Sequence, residues 1–351
     1  MEITLHTRSD EAAPDGRALV QELIRYREPN RLRSVFELSV TVGALLTNWG
    51  LMWLSLSVGY WLTLLLAIPA AGFLVRLFMI QHDCGHGAFF RDRRLNDCVG
   101  RAIGALTLTP YDHWRRAHAL HHVTSGDLDR RGFGDLETFT VAEYLAMPLR
   151  RRAAYRVFRH PLVMFGLGPA YVFLFRNRLP VGEMRARWRP WLSTMGTNLA
   201  IAALSAGLIM LGGLKPFLVV ELPIALMAGA IGIWLFYVQH QFEGVVWTRG
   251  SAWALPEAAL LGASHYHLPG LAGWFTANIG VHHVHHLDSR IPFYRLRQVL
   301  REMPELDVRR VSLAGSLRGI RLALWDEPQQ RLISFRDLLA SAPCPAASTP
   351  R

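Results

Sequence analysis

The apolar positions of this chain are gathered into long runs. Residues 32–57 are apolar apart from Arg33, Glu37 and a few small polar side chains, and residues 59–80 are apolar apart from Arg76. Residues 191–211 and 216–239 repeat the arrangement across the turn Gly212-Gly213-Leu214-Lys215. A helix needs roughly 20 apolar residues to cross a hydrocarbon core about 30 Å thick, and each run meets that length. The pattern predicts an all-α membrane protein with four transmembrane helices in two hairpins, at about 32–57, 59–80, 191–211 and 216–239. Pro69 in the second run is tolerable where neighbouring helices satisfy the freed backbone. Arg76 in the same run requires a partner or the interface, and Glu221, near the far end of the fourth, reads as an interface-facing carboxylate.

The polar stretches organise the rest. Residues 1–31 read as an N-terminal tail; within it 10–15 is expected to be mobile, and 16–27 to form a short amphipathic helix, either lying on the membrane or solvated. Residues 88–192 are a long arginine-rich region with two apolar stretches too short to span. The stretch 95–109, with Arg101 inside, reads as an interfacial helix; 161–175, broken by Gly166, Gly168 and Pro169, reads as interfacial or re-entrant. A helix is expected over 111–122, a turn-rich loop over 126–135, and an amphipathic connection over 244–281. A further amphipathic helix is predicted at 317–324. The Pro/Ala/Ser-rich residues 341–351 read as a disordered tail, which leaves 32–340 as the membrane domain. No apolar core precedes Val35, so no cleavable signal peptide is expected.

Composition changes this picture only through charge. A chain of 351 residues and 51% hydrophobic content is long enough for two soluble domains, but the runs argue for a membrane. A net charge of +11 would suggest nucleic acid in a soluble protein. Here the excess is arginine in the two tails and in 88–192, whereas the short turns hold only Lys215. The positive-inside rule then places both termini and the 88–192 region in the cytosol, in the cytoplasmic (inner) membrane, with no nucleic-acid partner. The three cysteines, Cys84, Cys98 and Cys344, give no disulfide framework, and Cys84 reads as a small packed residue.

The chemistry lies in histidine. Three clusters recur: His82-Asp83-Cys84-Gly85-His86, His118-Ala119-Leu120-His121-His122 and His282-His283-Val284-His285-His286. Together they hold nine of the 15 histidines. A further one, His240, ends the fourth apolar run. Residues three and four apart share a helix face, so HxxxH and HxxHH present two and three imidazoles to one point. The clusters offer eight ligands at this spacing, and His240 a ninth, too many for one four-coordinate zinc ion but suited to two ions with five or six ligands each. Four spans with both ends inside put every cluster at a cytosolic helix end, in a helical cap carrying a di-metal site. His283 is off the HxxHH register and reads as structural or supporting. His113, His265 and His267 read as interfacial, and His6 and His160 as surface residues. Asp83, Asp112, Asp127 and Glu243 are candidates to accept the second N–H of a ligating imidazole.

A metal site at the end of an apolar bundle points to a lipid chain as substrate. Unactivated methylenes have no acidic proton and no leaving group, so the reaction requires a strong oxidant, which iron with O2 supplies and redox-inert zinc does not. At these residues the chain resembles the integral-membrane fatty acid desaturases, in particular the bacterial acyl-lipid type. The likeness rests on the three clusters, on Gln239-His240-Gln241-Phe242-Glu243 and Ile291-Pro292, and on Trp234 to His240 and Leu324-Trp325-Asp326-Glu327.

The resemblance implies two non-haem iron ions, O2 as co-substrate, and a cis double bond formed in a fatty acyl chain carried on phospholipid. It implies His82, His86, His118, His121, His122, His282, His285 and His286 as ligands, with His240 the ninth. Some relatives carry an Asn one turn before that last histidine; this chain has Phe236, so that contact is not carried over. No cytochrome b5-like segment and no flavin or nicotinamide fingerprint is present, so electrons are expected from an external ferredoxin or flavodoxin. Arg150-Arg151-Arg152 is a candidate contact either for that carrier or for anionic headgroups. Motif spacing leaves open an alkyl hydroxylase, ketolase or decarboxylase on the same site. A membrane zinc hydrolase would leave most of the clusters unused, and a haem carrier would pair single histidines within opposed spans.

Overall fold

Four helices in the computed structural model are long and apolar enough to cross a membrane. The structure describes residues 16–340 apart from 133 and 135, so the 10–15 stretch, His6 and the 341–351 tail lie outside the described residues. Along the chain, α1 (Gly16–Leu23) precedes the first hairpin of α2 (Arg31–Ser55) and α3 (Tyr60–His86). Then come α4 (Arg93–Leu106), α5 (Tyr111–Thr124), α6 (Val141–Ala146), α7 (Leu149–Phe158) and the single turn α8 (Gly168–Ala170). The second hairpin is α9 (Trp188–Gly212) and α10 (Leu214–His240). It is followed by α11 (Leu255–Gly262), α12 (Gly270–Phe275), α13 (His282–Leu287), α14 (Leu296–Glu302), α15 (Leu313–Gly319) and α16 (Phe335–Ala340).

Spans pack without a hydrophobic driving force between them, so close approach and polar pairs matter. Ala67, Ala70 and Ala71 of α3 are buried in the bundle. Asn48 Nδ2 donates to Leu66 O at 2.8 Å, and the Ser55 and Thr63 hydroxyls meet at 2.7 Å. The buried Arg76 finds its partner in Glu37 of α2. Its guanidinium also donates to Trp274 O and lies 4.0 Å from the Trp274 ring centroid. Glu221 is half-buried and accepts from Trp49 Nε1, so α2 holds it and it is not simply turned to the interface. Leu19 and Leu23 of α1 are buried in the main core, so this helix docks on protein instead of being solvated. The segment after it is pinned to the far end of the chain through Tyr26 to Glu302 at 2.7 Å and Arg27 to Asp288 at 2.6 Å.

The 161–175 stretch belongs to a bent helical pair, the form of a broken span or a re-entrant loop. Helix α7 meets segment Val163–Arg178 at a bend of 64°. Phe165 packs on Trp234 and Tyr237 of α10, and Phe173 and Pro169 pack farther along it at Gly229. The segment thus follows α10 away from its histidine end for about 12 Å, at about 1.5 Å per residue. The chain then turns back to begin α9, with Arg178 tied to Asn198 at 2.9 Å.

The helical architecture is supplemented by two small sheets that the apolar pattern did not predict. Strand β1 (Phe139–Thr140) pairs in parallel with β4 (Leu322–Asp326), which pairs antiparallel with β5 (Arg331–Ser334); β2 (His265–Tyr266) pairs in parallel with β3 (Arg310–Val311). The helix expected at 317–324 therefore ends at Gly319, and its second half is strand. Leu322, Ala323, Leu324 and Trp325 are all buried, with Trp325 stacked on Trp247 at 5.3 Å, and a short continuous apolar run covered on both faces suits a strand. The buried Arg159 satisfies the start of that strand by donating to Leu322 O, and reaches Gln241 Oε1 at 3.2 Å.

Candidate metal centre

Helix α3 delivers His82 and His86 in its last turn, which Gly87 closes in the left-handed conformation at φ 70°. Helix α5 delivers His118, His121 and His122, α10 ends on His240, and α13 carries the third cluster. The approach to α13 is set by Gly280: a Cβ there would stand 2.2 Å from Tyr266 O, so this position admits only glycine. Four elements that are distant in sequence thereby converge on one region.

Nine histidines sort into two groups. His82, His86, His118, His122 and His285 form one; His121, His240, His282 and His286 form the other. Within each group one ring nitrogen per residue lies within 4.8 Å of all the others. Adjacent residues on a helix point about 100° apart, and so His121 and His122 serve different groups.

The Nε2 atoms are closely spaced. His118 and His122 are 3.1 Å apart, as are His122 and His285. In the second group His240 stands 3.1 Å from His121 and 3.0 Å from His282, which is 3.1 Å from His286. Adjacent ligands on an ion with bonds of about 2.1 Å at near-right angles stand about 3.0 Å apart, whereas a tetrahedral arrangement spreads them to about 3.4 Å. The spacing fits cations of coordination number above four. Protonation supports the same fit. His240 Nδ1 faces the carbonyl of Gly262 at 3.2 Å, an oxygen that only accepts, so Nδ1 carries the proton and Nε2 is a bare lone pair. That lone pair faces the Nε2 atoms of His121 and His282, a convergence that suits a cation held among them. His86 Nε2 is likewise buried without a hydrogen-bond partner among the described residues.

Burial, reinforced by neighbouring histidines, holds His118, His122, His282, His285 and His286 well below the ordinary imidazole pKa. They are neutral at physiological pH, the form that ligates metal. His283 lies outside both groups. Its Nε2 donates to Leu306 O at 2.6 Å, and burial lowers its pKa to about 4. His265 pairs with Asp307 at 2.7 Å, with His267 beside it, and neither belongs to a group; His113 is buried outside them and His160 is exposed.

Of the four carboxylates expected behind the imidazoles, the structure places only Asp83 there. Its Oδ1 lies 3.3 Å from His82 Nδ1, and its Oδ2 accepts Phe293 N–H at 2.7 Å. Asp112 instead pairs with Arg101 and Arg115, Asp127 with Arg130, and Glu243 is exposed. Asp83→Asn keeps the size but turns an N–H donor toward one of its two partners. Activity is expected to fall about 10–100-fold with the fold intact, checked by turnover and metal content of the purified variant.

Two aromatic side chains beside the groups carry no signal in the histidine spacing. Trp114 stacks on His118 at 4.7 Å, an i,i+4 relation legible in hindsight. Phe236 lies 5.1 Å from His121 and 5.4 Å from His240. A cavity of about 140 Å³ ends on Phe236 and His240 and is otherwise walled by Ser125, Thr138, Gln241 and Trp247 among others. A larger groove, about 650 Å³, touches none of the histidines.

Residues 57–313 match the fatty acid desaturase family. The chain is 44% identical to the fatty acid desaturase of Bacillus subtilis (strain 168) over 320 residues, covering 91% of this chain and 90% of that one. It is 26% identical to an sn-1 acyl-lipid omega-3 desaturase (ferredoxin) of Synechocystis over 63% of this chain and 62% of that one. It is 27% identical to the chloroplastic sn-2 acyl-lipid omega-3 desaturase (ferredoxin) of Arabidopsis thaliana over 71% of this chain, but only 53% of that one. With four membrane-length helices, two histidine groups at their ends and this likeness across nine-tenths of a bacterial relative, the chain belongs to the fatty acid desaturase family of membrane oxidoreductases.

Proposed function

We propose that this desaturase converts a CH2–CH2 pair of a lipid-linked fatty acyl chain into a cis double bond, consuming O2, two electrons and two protons and releasing two waters. The observation that carries the reading is the pair of histidine groups, five and four strong, with nitrogens spaced for higher-than-tetrahedral coordination. His82, His86, His118, His122 and His285 would hold one iron, and His121, His240, His282 and His286 the other. Bound iron supplies the O2-dependent oxidising power that an unactivated methylene requires. The chain's own residues hold the imidazoles aimed: Asp83 fixes His82, the Gly262 carbonyl fixes the tautomer of His240, and Trp114 and Phe236 wall the groups with apolar surface.

Residues 32–340 would form the catalytic domain, with 341–351 as a tail and 1–31 as an N-terminal segment whose helix α1 packs on that domain. Both termini and the histidines would lie on the cytosolic side of the inner membrane, a placement that the arginine distribution supports. A phospholipid acyl chain and a ferredoxin-type donor agree with the names of the cyanobacterial and plant relatives. Stripping the purified enzyme with a chelator is expected to abolish desaturation, and ferrous iron to restore it to near two ions per chain. A purified enzyme holding about one zinc and no iron per chain would contradict the reading and favour a hydrolase.

A further inference from the structure

The groove of about 650 Å³ lies between α6, α7 and the C-terminal β5–α16 segment, away from the histidines. Its volume falls in the range of small-molecule sites, about 300–1,000 Å³. Its apolar wall includes Val141, Leu145, Leu149 and Leu339, and its charged residues are Arg152, Arg156 and a single described acid, Asp326. Leu149 is 79% exposed and Leu339 64% exposed. Arg156 is braced, its Nε donating to the Tyr144 hydroxyl at 2.8 Å and its guanidinium lying 5.1 Å from the Phe335 ring. Arg152 spends donors on the carbonyls of Leu145 and Met147, and still brings its charge to the wall. Arg150 and Arg151 stand exposed beside it at the start of α7.

The position of α7 selects the occupant. At its C-terminal end the chain bends by 64° into the segment that runs along α10. Val157, Phe158 and Leu162 are exposed at this bend, followed by Leu167 and Tyr171. A water-soluble partner would meet this apolar surface at a cost, whereas a membrane covers it. Helix α7 thus lies where this bent apolar segment enters the bilayer, with arginines and leucines side by side, the arrangement of an interfacial helix that pairs with anionic headgroups.

We propose that this groove binds an anionic phospholipid, distinct from the acyl chain at the histidines, with its phosphate on Arg156 and Arg152 and its acyl portion against Leu145, Leu149 and Leu339. The lipid would fix α6–α7 and the C-terminal hairpin at the membrane surface.

The test is native mass spectrometry of the intact enzyme released from vesicles holding equal phosphatidylglycerol and phosphatidylcholine of matched chains. Wild type is expected to retain phosphatidylglycerol preferentially, and Arg156→Gln to lower that preference about fivefold, the contribution of one arginine near an anionic surface. Millimolar inorganic phosphate should not displace the lipid; displacement would mark a free-anion site and overturn the proposal. Equal retention by wild type and variant overturns it too. So does unchanged retention accompanied by a raised KM for ferredoxin, which would assign the face to the electron donor. Should Arg156→Gln fail to fold, photoactivatable phosphatidylglycerol added to wild type must label residues 141–158 or 331–340, and labelling only elsewhere refutes the site.

Discussion

Alanine in place of His86, His121 or His285 is expected to abolish unsaturated product while the protein still inserts in the membrane. Loss of a group behind a ligand typically costs about 10–100-fold, and loss of the ligand itself should exceed about 100-fold. The two groups make the outcomes distinguishable. His86 and His285 belong to the group of five and His121 to the group of four. The smaller group has less to spare, so His121→Ala should lose about one of its two irons, while His86→Ala retains more iron with equally little activity. Iron per chain, measured beside turnover, checks this. Full activity in two of the three variants would remove the basis for the paired site.

Glu37→Ala is expected to have the largest effect on stability. Arg76 and Glu37 are both almost fully buried, at 1% and 2% exposure, and pair directly between α3 and α2. Breaking a buried pair leaves an uncompensated charge, at a cost of about 3–5 kcal/mol. Arg33, which also pairs with Glu37 at 2.6 Å, is itself a cation, so it offers Arg76 no compensation once the carboxylate is gone. The unfolding midpoint in detergent should fall by roughly 5 °C or more. The double replacement Glu37→Leu with Arg76→Met should recover much of the loss, since it removes both charges together. An unchanged midpoint for Glu37→Ala would mean that Arg76 is satisfied by Trp274 alone.

The two functional expectations differ in how far the sequence carried them. Histidines at i, i+3 and i+4 reveal themselves because helical spacing is local, and His240 is visible because it ends an apolar run. The division of His121 from His122 between two groups was not legible: it depends on where α10 and α13 lie around α5, which no local pattern records. The same reason separates Asp83 from Asp112, Asp127 and Glu243. Each is an acid near a cluster or near His240, but only Asp83 has its second oxygen fixed by the Phe293 N–H. Arg76 announced its need for a partner, and Glu37 was visible 39 positions earlier, yet pairing them required the hairpin register. Strand β4 reads as helix in the sequence because a four-residue buried apolar run has no period of its own, and only Trp247, Tyr155 and Ile333 packed around it decide its form.

The proposed desaturation of lipid acyl chains at these two histidine groups is tested by mass spectrometry of membrane lipids, with derivatisation that locates double bonds, from cells expressing wild type or His121→Ala together with a ferredoxin reducing system. A new unsaturated acyl chain is expected in the wild type, absent from the variant, with the double bond at one position. Oxygenated or shortened chains in the wild type, with no new double bond, would contradict it and assign the same site to a hydroxylase or a decarboxylase.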